Sequence, residues 1–147
     1  MAYVTHHAIQ MQRRQQDYAR AIAAADKLQQ LDFAEPQLGV DRPYFLREKG
    51  WFLAADAHTR LGEFAPARTA TQAGLAAYPD AFYTPDLLFL DGLSALQLQL
   101  NEQAQASLEQ LLRRFPQHTS APHARYYLAY SLFNRTQFAE AMGHFQQ

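Results

Sequence analysis

Apolar residues recur along this chain at helical rather than alternating spacing, and the recurrence itself repeats. Between Tyr44 and Arg60, the residues Trp51, Ala54, Ala55 and His58 fall at i, i+3, i+4 and i+7, which predicts a helix with one buried face. Leu61-Gly62 predicts its end, because glycine adopts the left-handed conformation that a helix C-terminus favours. A return helix is predicted from Phe64 to Ala77, with Pro66 in its first turn and Ala67, Ala70, Thr71, Gly74 and Leu75 facing inward. Tyr78-Pro79-Asp80 stops it.

A shift of 37 residues brings further copies of this unit into register. Phe52 falls on Phe89 and Tyr126, and Ala55 on Gly92 and Ala129. Ala67 falls on Ala104 and Ala141, Tyr78-Pro79 on Phe115-Pro116, and Pro85 on Pro122. In the copy from Thr84 to Pro116, Thr84 is the expected N-cap and Pro85 the first helical residue. Gln99 there stands in register with Gly62, and Asn101 replaces the aromatic of Phe64 and Phe138. Ala104, Leu108, Leu111 and Leu112 make the inner stripe of its return helix. A last copy opens at Ser120-Ala121-Pro122, and its return helix is expected to start at Gln137.

Upstream the pattern is weaker. Ala2 to Gln16 and Asp17 to Leu28 are expected to form a pair of helices, a degenerate first copy whose inner face includes Tyr18, Ala21, Ile22, Ala25 and Leu28. Pro36, Gly39 and Pro43 predict a loop from Phe33 to Pro43. The units therefore run over residues 2–32, 44–79, 84–116 and 120–147 of a single array spanning 1–147. The last stops short of a full return helix, so the chain is expected to be a piece of a longer repeat protein, with an uncapped C-terminal end able to self-associate.

Composition narrows the function. The chain is 48% hydrophobic and 18% charged, enough to bury a core. A net charge of -1 argues against nucleic acid as a partner. Having no cysteine, it can form neither disulfides nor thiolate metal sites, a fact that does not decide between periplasm and cytoplasm. No apolar run is long enough for a membrane span, and Met1 to His7 lacks the signal-peptide pattern.

The unit Trp51…Ala55…Gly62-x-Phe64-x-x-Ala67…Pro79 resembles the tetratricopeptide repeat. The copy after it keeps Gly92, Ala104 and Pro116, and the last keeps Ala129, Phe138, Ala141 and Phe145. Gly74, Thr71, Gln99 and Thr136 depart from the family pattern, as does a spacing of 37 where 34 is usual. The resemblance implies an all-α solenoid, about four antiparallel helix hairpins in a right-handed superhelix, acting as a non-catalytic scaffold for a protein or peptide. The Phe-Pro-x-x-x-x-Ala-Pro-x-Ala-x-Tyr-x-Leu-Ala stretch also resembles repeats of bacterial envelope proteins, such as TolA-binding proteins and outer-membrane assembly lipoproteins. Alternatives are a self-associating structural module or a docking and regulatory domain of a larger enzyme or regulator.

The resemblance also places the column Phe52, Phe89 and Tyr126 toward the concave groove, followed a turn later by Asp56, Leu93 and Tyr130. Lys49 and His123 stand at its rim. Two readings of these aromatics stay open: anchors for a peptide, or packing against neighbouring helices. No histidine pair has zinc spacing, so a metal is not expected. Asp56, Glu63, Asp86 and Asp91 are read as solvated helix faces rather than an acid/base pair, and no phosphate loop or nucleophile motif implies a cofactor or catalytic residue.

Overall fold

The structure, a computed structural model, describes residues 2–30 and 42–134, with side chains over 14–30 and 47–133. Among these residues six helices follow one another: α1 (Ala2–Gln30), α2 (Arg42–Leu61), α3 (Phe64–Ala77), α4 (Thr84–Gln97), α5 (Asn101–Arg114) and α6 (Ala121–Asn134). Among the described residues there is no strand, and the all-helical architecture is that of a tetratricopeptide-like α solenoid.

Each helix packs on the next, and α2 also touches α4 while α4 touches α6. The backbones of α3 and α5 stay apart, joined only through side chains such as Arg68 and Gln103, and the backbones of α1 and α3 do not approach each other either. The array thus has an inner layer of α2, α4 and α6, toward which it bends, and an outer layer of α1, α3 and α5.

The turns carry the repeat in their backbone hydrogen bonds. Gly62 N–H donates to Thr59 O (3.1 Å) and Glu63 N–H to His58 O (2.9 Å); 37 residues on, Gln99 N–H donates to Leu96 O (2.9 Å) and Leu100 N–H to Ala95 O (2.9 Å). These pairs close the helix C-terminus and satisfy its last carbonyls. The same offset relates Tyr78 N–H on Gly74 O to Phe115 N–H on Leu111 O, and Ala67 N–H on Glu63 O to Ala104 N–H on Leu100 O. Gly62 has φ 77° and Gln99 φ 60°, so the glutamine holds the left-handed conformation without the glycine that normally supplies it.

Two expectations are corrected. The first copy is no hairpin of two helices: Ala2–Gln30 is one helix of 29 residues. Nothing between Met11 and Lys27 breaks a helix, and the junction Gln12-Arg13-Arg14-Gln15-Gln16 consists of good helix formers. Thr84 is not the N-cap, which is Tyr83, but the first residue of α4, and it is fully buried. Its hydroxyl donates to Tyr78 O (3.1 Å) and accepts from Ala81 N–H (2.9 Å), tying together the ends of the 78–84 turn. The loop expected over Phe33–Pro43 lies mostly outside the described residues, as does the return helix after Gln137; Pro43 itself is in the first turn of α2.

Two side-chain clusters make the core. Ala25, Ala54, Ala55, Ala70, Leu87 and Leu90 form one, with Trp51, Phe52 and Leu53 packed on it. The other, larger one is built on leucines, among them Leu88, Leu108, Leu111, Leu128 and Leu132. Leu75 packs on both. The recurring small residues sit where helices meet: Ala55, Ala67, Ala104 and Ala129 have no exposed surface. A Cβ on Gly92 would lie 2.6 Å from Leu108 Cγ, and one on Gly74 would lie 2.8 Å from Trp51 Cβ. Gly74 departs from the family pattern because Trp51 occupies the room a side chain would need.

Candidate functional site

Following the column Phe52, Phe89 and Tyr126 shows what each aromatic meets. Phe52 stacks on Tyr83, just before α4, with ring centroids 4.8 Å apart and planes 14° from parallel. Phe89 on α4 meets Tyr127 (6.0 Å) and His123 (6.4 Å) on α6. Both are half-buried and each faces the following unit. Tyr126 is 55% exposed and touches Tyr127 edge-on at 5.3 Å.

On α6, Tyr130 is 47% and Phe133 53% exposed. With Tyr126 they fall at i, i+4 and i+7, one stripe of a helix. The stripe borders a cleft of about 460 Å³ lined by Leu96, Gln97, Gln99, Asn101, Tyr127 and Tyr130. Gln97, Gln99 and Asn101 had no place in the sequence reading of the groove. They reach the cleft because the Gln99 turn puts the α4–α5 corner opposite α6. The aromatic lost at Asn101 marks the change in sequence, since Phe64 and Phe138 stand at the equivalent places.

The remaining expected site residues are dispersed. Asp56 is half-buried and accepts from Arg60 Nε at 2.7 Å. Leu93 and Lys49 are half-buried on α4 and α2, and His123 is exposed on α6. Lys49 and His123 share one column, 37 residues apart from Asp86 on either side. Asp86 lies 3.8 Å from His118 Nε2, and burial pushes its carboxyl above the ordinary value while the His118 charge opposes this.

The carboxylates are not all solvated. Asp91, only 3% exposed, sits among α3, α4 and α5. It accepts from Arg68 Nε (3.1 Å), Thr71 Oγ1 (2.9 Å) and Ser107 Oγ (2.6 Å), while Arg68 Nη1 reaches Gln103 Oε1 at 2.5 Å. The expectation of a solvated face fails here because these partners replace water. An acid in the middle of the apolar run Leu87-Leu88-Phe89-Leu90-Asp91-Gly92-Leu93 was the available signal. Glu63, by contrast, is exposed and bonds His58 Nδ1 at 2.7 Å.

Glu48 is a second buried acid, 3% exposed on α2. Its carboxylate accepts from the backbone N–H groups of Tyr83 and Phe82, pinning the 78–84 turn to α2. Burial pushes it above the ordinary carboxyl value, the two N–H groups oppose this, and Asp86 adds to the rise. Among the described residues no group of three or more His, Cys, Asp or Glu could hold a metal, and no helix is long and apolar enough to cross a membrane.

Residues 86–118 match a family model described as tetratricopeptide repeat. The matched stretch is α4 from Asp86 on, the Gln99 turn, α5 and the turn after it, and the match supports that family for this unit. It does not support the narrower resemblance to envelope proteins. No curated protein matches the chain. A repeat of this family suggests a protein–protein interaction module, and the family is generally non-catalytic.

Proposed function

We propose that the chain is a non-catalytic scaffold that binds a peptide segment on its inner layer, with Tyr126 and Tyr130 as anchors and the α4–α6 cleft as the seat. The observation that carries this reading is the exposed stripe of Tyr126, Tyr130 and Phe133 beside that cleft. Large aromatics give much contact area for little ordering entropy, and side-chain amides can pair with an extended backbone. Phe89 and Leu93 support the seat from α4, and Phe52, Asp56, Lys49 and His123 continue the surface along the inner layer and its rim. A role in bacterial envelope assembly rests on the Phe-Pro-x-x-x-x-Ala-Pro spacing alone, so both soluble and envelope fractions are sources of partner in the test.

The test is affinity capture from those fractions, wild type beside Tyr126→Ala/Tyr130→Ala, with any captured segment then titrated as a synthetic peptide. The variant removes exposed rings and should keep the wild-type helical content. The expected result is at least a tenfold loss of peptide affinity, since each anchor is worth about 1 kcal/mol or more. Equal affinity in a folded variant rejects the α6 seat.

The same stripe favours a second reading, association of two copies through α6. Sedimentation of wild type that rises with concentration, and of the double variant that does not, would select it. A wild type that stays monomeric while binding peptide would select the first.

A further inference from the structure

A second cleft, of about 500 Å³, opens between α1 and α3 over α2, away from the α4–α6 seat. Trp51 and Ala54 floor it, Asp26 and Gln29 line the α1 wall, and Pro66, Thr69 and Ala70 line the α3 wall. Its counterpart one unit on shows how such a groove is filled. There the position of Ala54 is Asp91, that of Pro66 is Gln103, and that of Ala70 is Ser107. The Arg68 guanidinium lies across the counterpart, bonded to Asp91 and Gln103. In the first cleft those three positions are apolar. The acid stands instead on the α1 wall as Asp26, which has no ion-pair or hydrogen-bond partner among the described residues. His58 also lines the cleft, but its ring is engaged by Glu63 at 2.7 Å.

We propose that this cleft receives an arginine side chain of a partner polypeptide, its guanidinium over the Trp51 indole and its charge against Asp26. An indole face attracts a flat cation more than any other side chain does, and a guanidinium suits both the ring and a carboxylate. The apolar floor takes the methylenes of the side chain, and Gln29 and Thr69 offer acceptors for the remaining N–H groups. The cleft thus takes from outside what Arg68 supplies from within one unit later.

Trp51 is the single tryptophan of the chain, so its emission and its indole N–H resonance report on this cleft alone. The 147-residue chain is titrated with N-acetyl-Leu-Arg-Leu-amide and with the neutral citrulline counterpart, following Trp51 fluorescence and the Trp51 indole and Thr69 amide resonances. The arginine peptide is expected to saturate both signals and to bind about threefold to tenfold more tightly than the citrulline peptide. Asp26→Asn, at an exposed helical position, should abolish that preference, and Tyr126→Ala/Tyr130→Ala should leave it intact. The proposal is overturned if the two peptides bind alike, if the preference survives Asp26→Asn, or if neither signal moves. Loss of the preference in the tyrosine variant would also overturn it, by assigning arginine binding to the inner layer.

Discussion

The α2–α3 unit and the α4–α5 unit share one backbone and fill it differently. At four matched positions the first has Trp51, Ala54, Ala55 and Ala57, and the second has Leu88, Asp91, Gly92 and Ser94. The first buries methyl groups and backs one indole against Gly74, with Glu48 and Thr71 its buried polar residues; the second buries the Asp91 carboxylate and two hydroxyls, Thr84 and Ser94, around leucines. Turn hydrogen bonds agree between the units to within about 0.2 Å, despite Gly62 in one and Gln99 in the other. The comparison teaches that turns and small contact positions define the unit. Its filling can be apolar or polar, provided each buried polar group is paired.

The largest effect should come from breaking the polar filling. Asp91→Ala leaves Arg68 with 12% of its side chain exposed and only Gln103 as a bonded partner, so it should cost about 3–5 kcal/mol in urea unfolding. A loss below about 1 kcal/mol would mean the network behaves like a surface pair. Next come the close approaches. Gly92→Ala and Gly74→Ala should each lose about 1–2 kcal/mol net, overpacking outweighing a helix-propensity gain of about 1 kcal/mol. In Gly92→Ala, Leu108→Ala should cost less than it does in wild type, because it removes the Cγ and Cδ2 that the new methyl meets. If the leucine change only adds its own cost, the collision is relieved elsewhere.

The turns should give smaller effects of opposite sign. Gln99→Gly is expected to raise stability by about 0.5–1 kcal/mol, and Gly62→Gln to lower it by about 1 kcal/mol. Equal and negligible changes in thermal melts would show that the left-handed turn is not maintained in solution. Smallest is the pH effect of Glu48, which has no equivalent acid in the second unit. Its folded pKa is raised, so the folded chain holds its proton more tightly than the unfolded chain does. Stability from this group is therefore fully present below the unfolded carboxyl pKa and is lost as pH rises through the folded value. Asp86 acts with the same sign. On acidification from neutral into that window, wild type should gain stability that Glu48→Gln gains less of. A steeper gain in the variant would reverse the assignment.

Much of this was legible in the sequence because the signal is periodic. The bounds of α3 at Phe64–Ala77 and the buried columns at Ala55, Gly92 and Ala129 follow from spacing and residue size alone. The single helix α1 was missed because a weakly apolar stretch was divided by its change in alanine content, whereas no residue there interrupts a helix. Thr84 was misread because a threonine before proline has cap chemistry in isolation; only the fold shows its hydroxyl closing the turn behind it. The Asp91 network and the Trp51–Gly74 contact join residues about twenty apart, beyond any local pattern. The α6 stripe was read through Tyr126 and Tyr130, but its neighbours Gln97, Gln99 and Asn101 come from a corner whose position depends on the left-handed turn.

The 37-residue recurrence of the turn hydrogen bonds also bears on how the array would respond to force. Among the described residues each unit contacts only its neighbours, with Leu75 packed on both cores and Arg114 bonded back to Pro79 O and Asp80. Tension applied at the two ends would load these junctions in series. Peeling away one unit releases 37 residues, about 120–130 Å of contour length. The chain would lengthen in steps of that size, making it an extensible tether whose increments are set by the repeat.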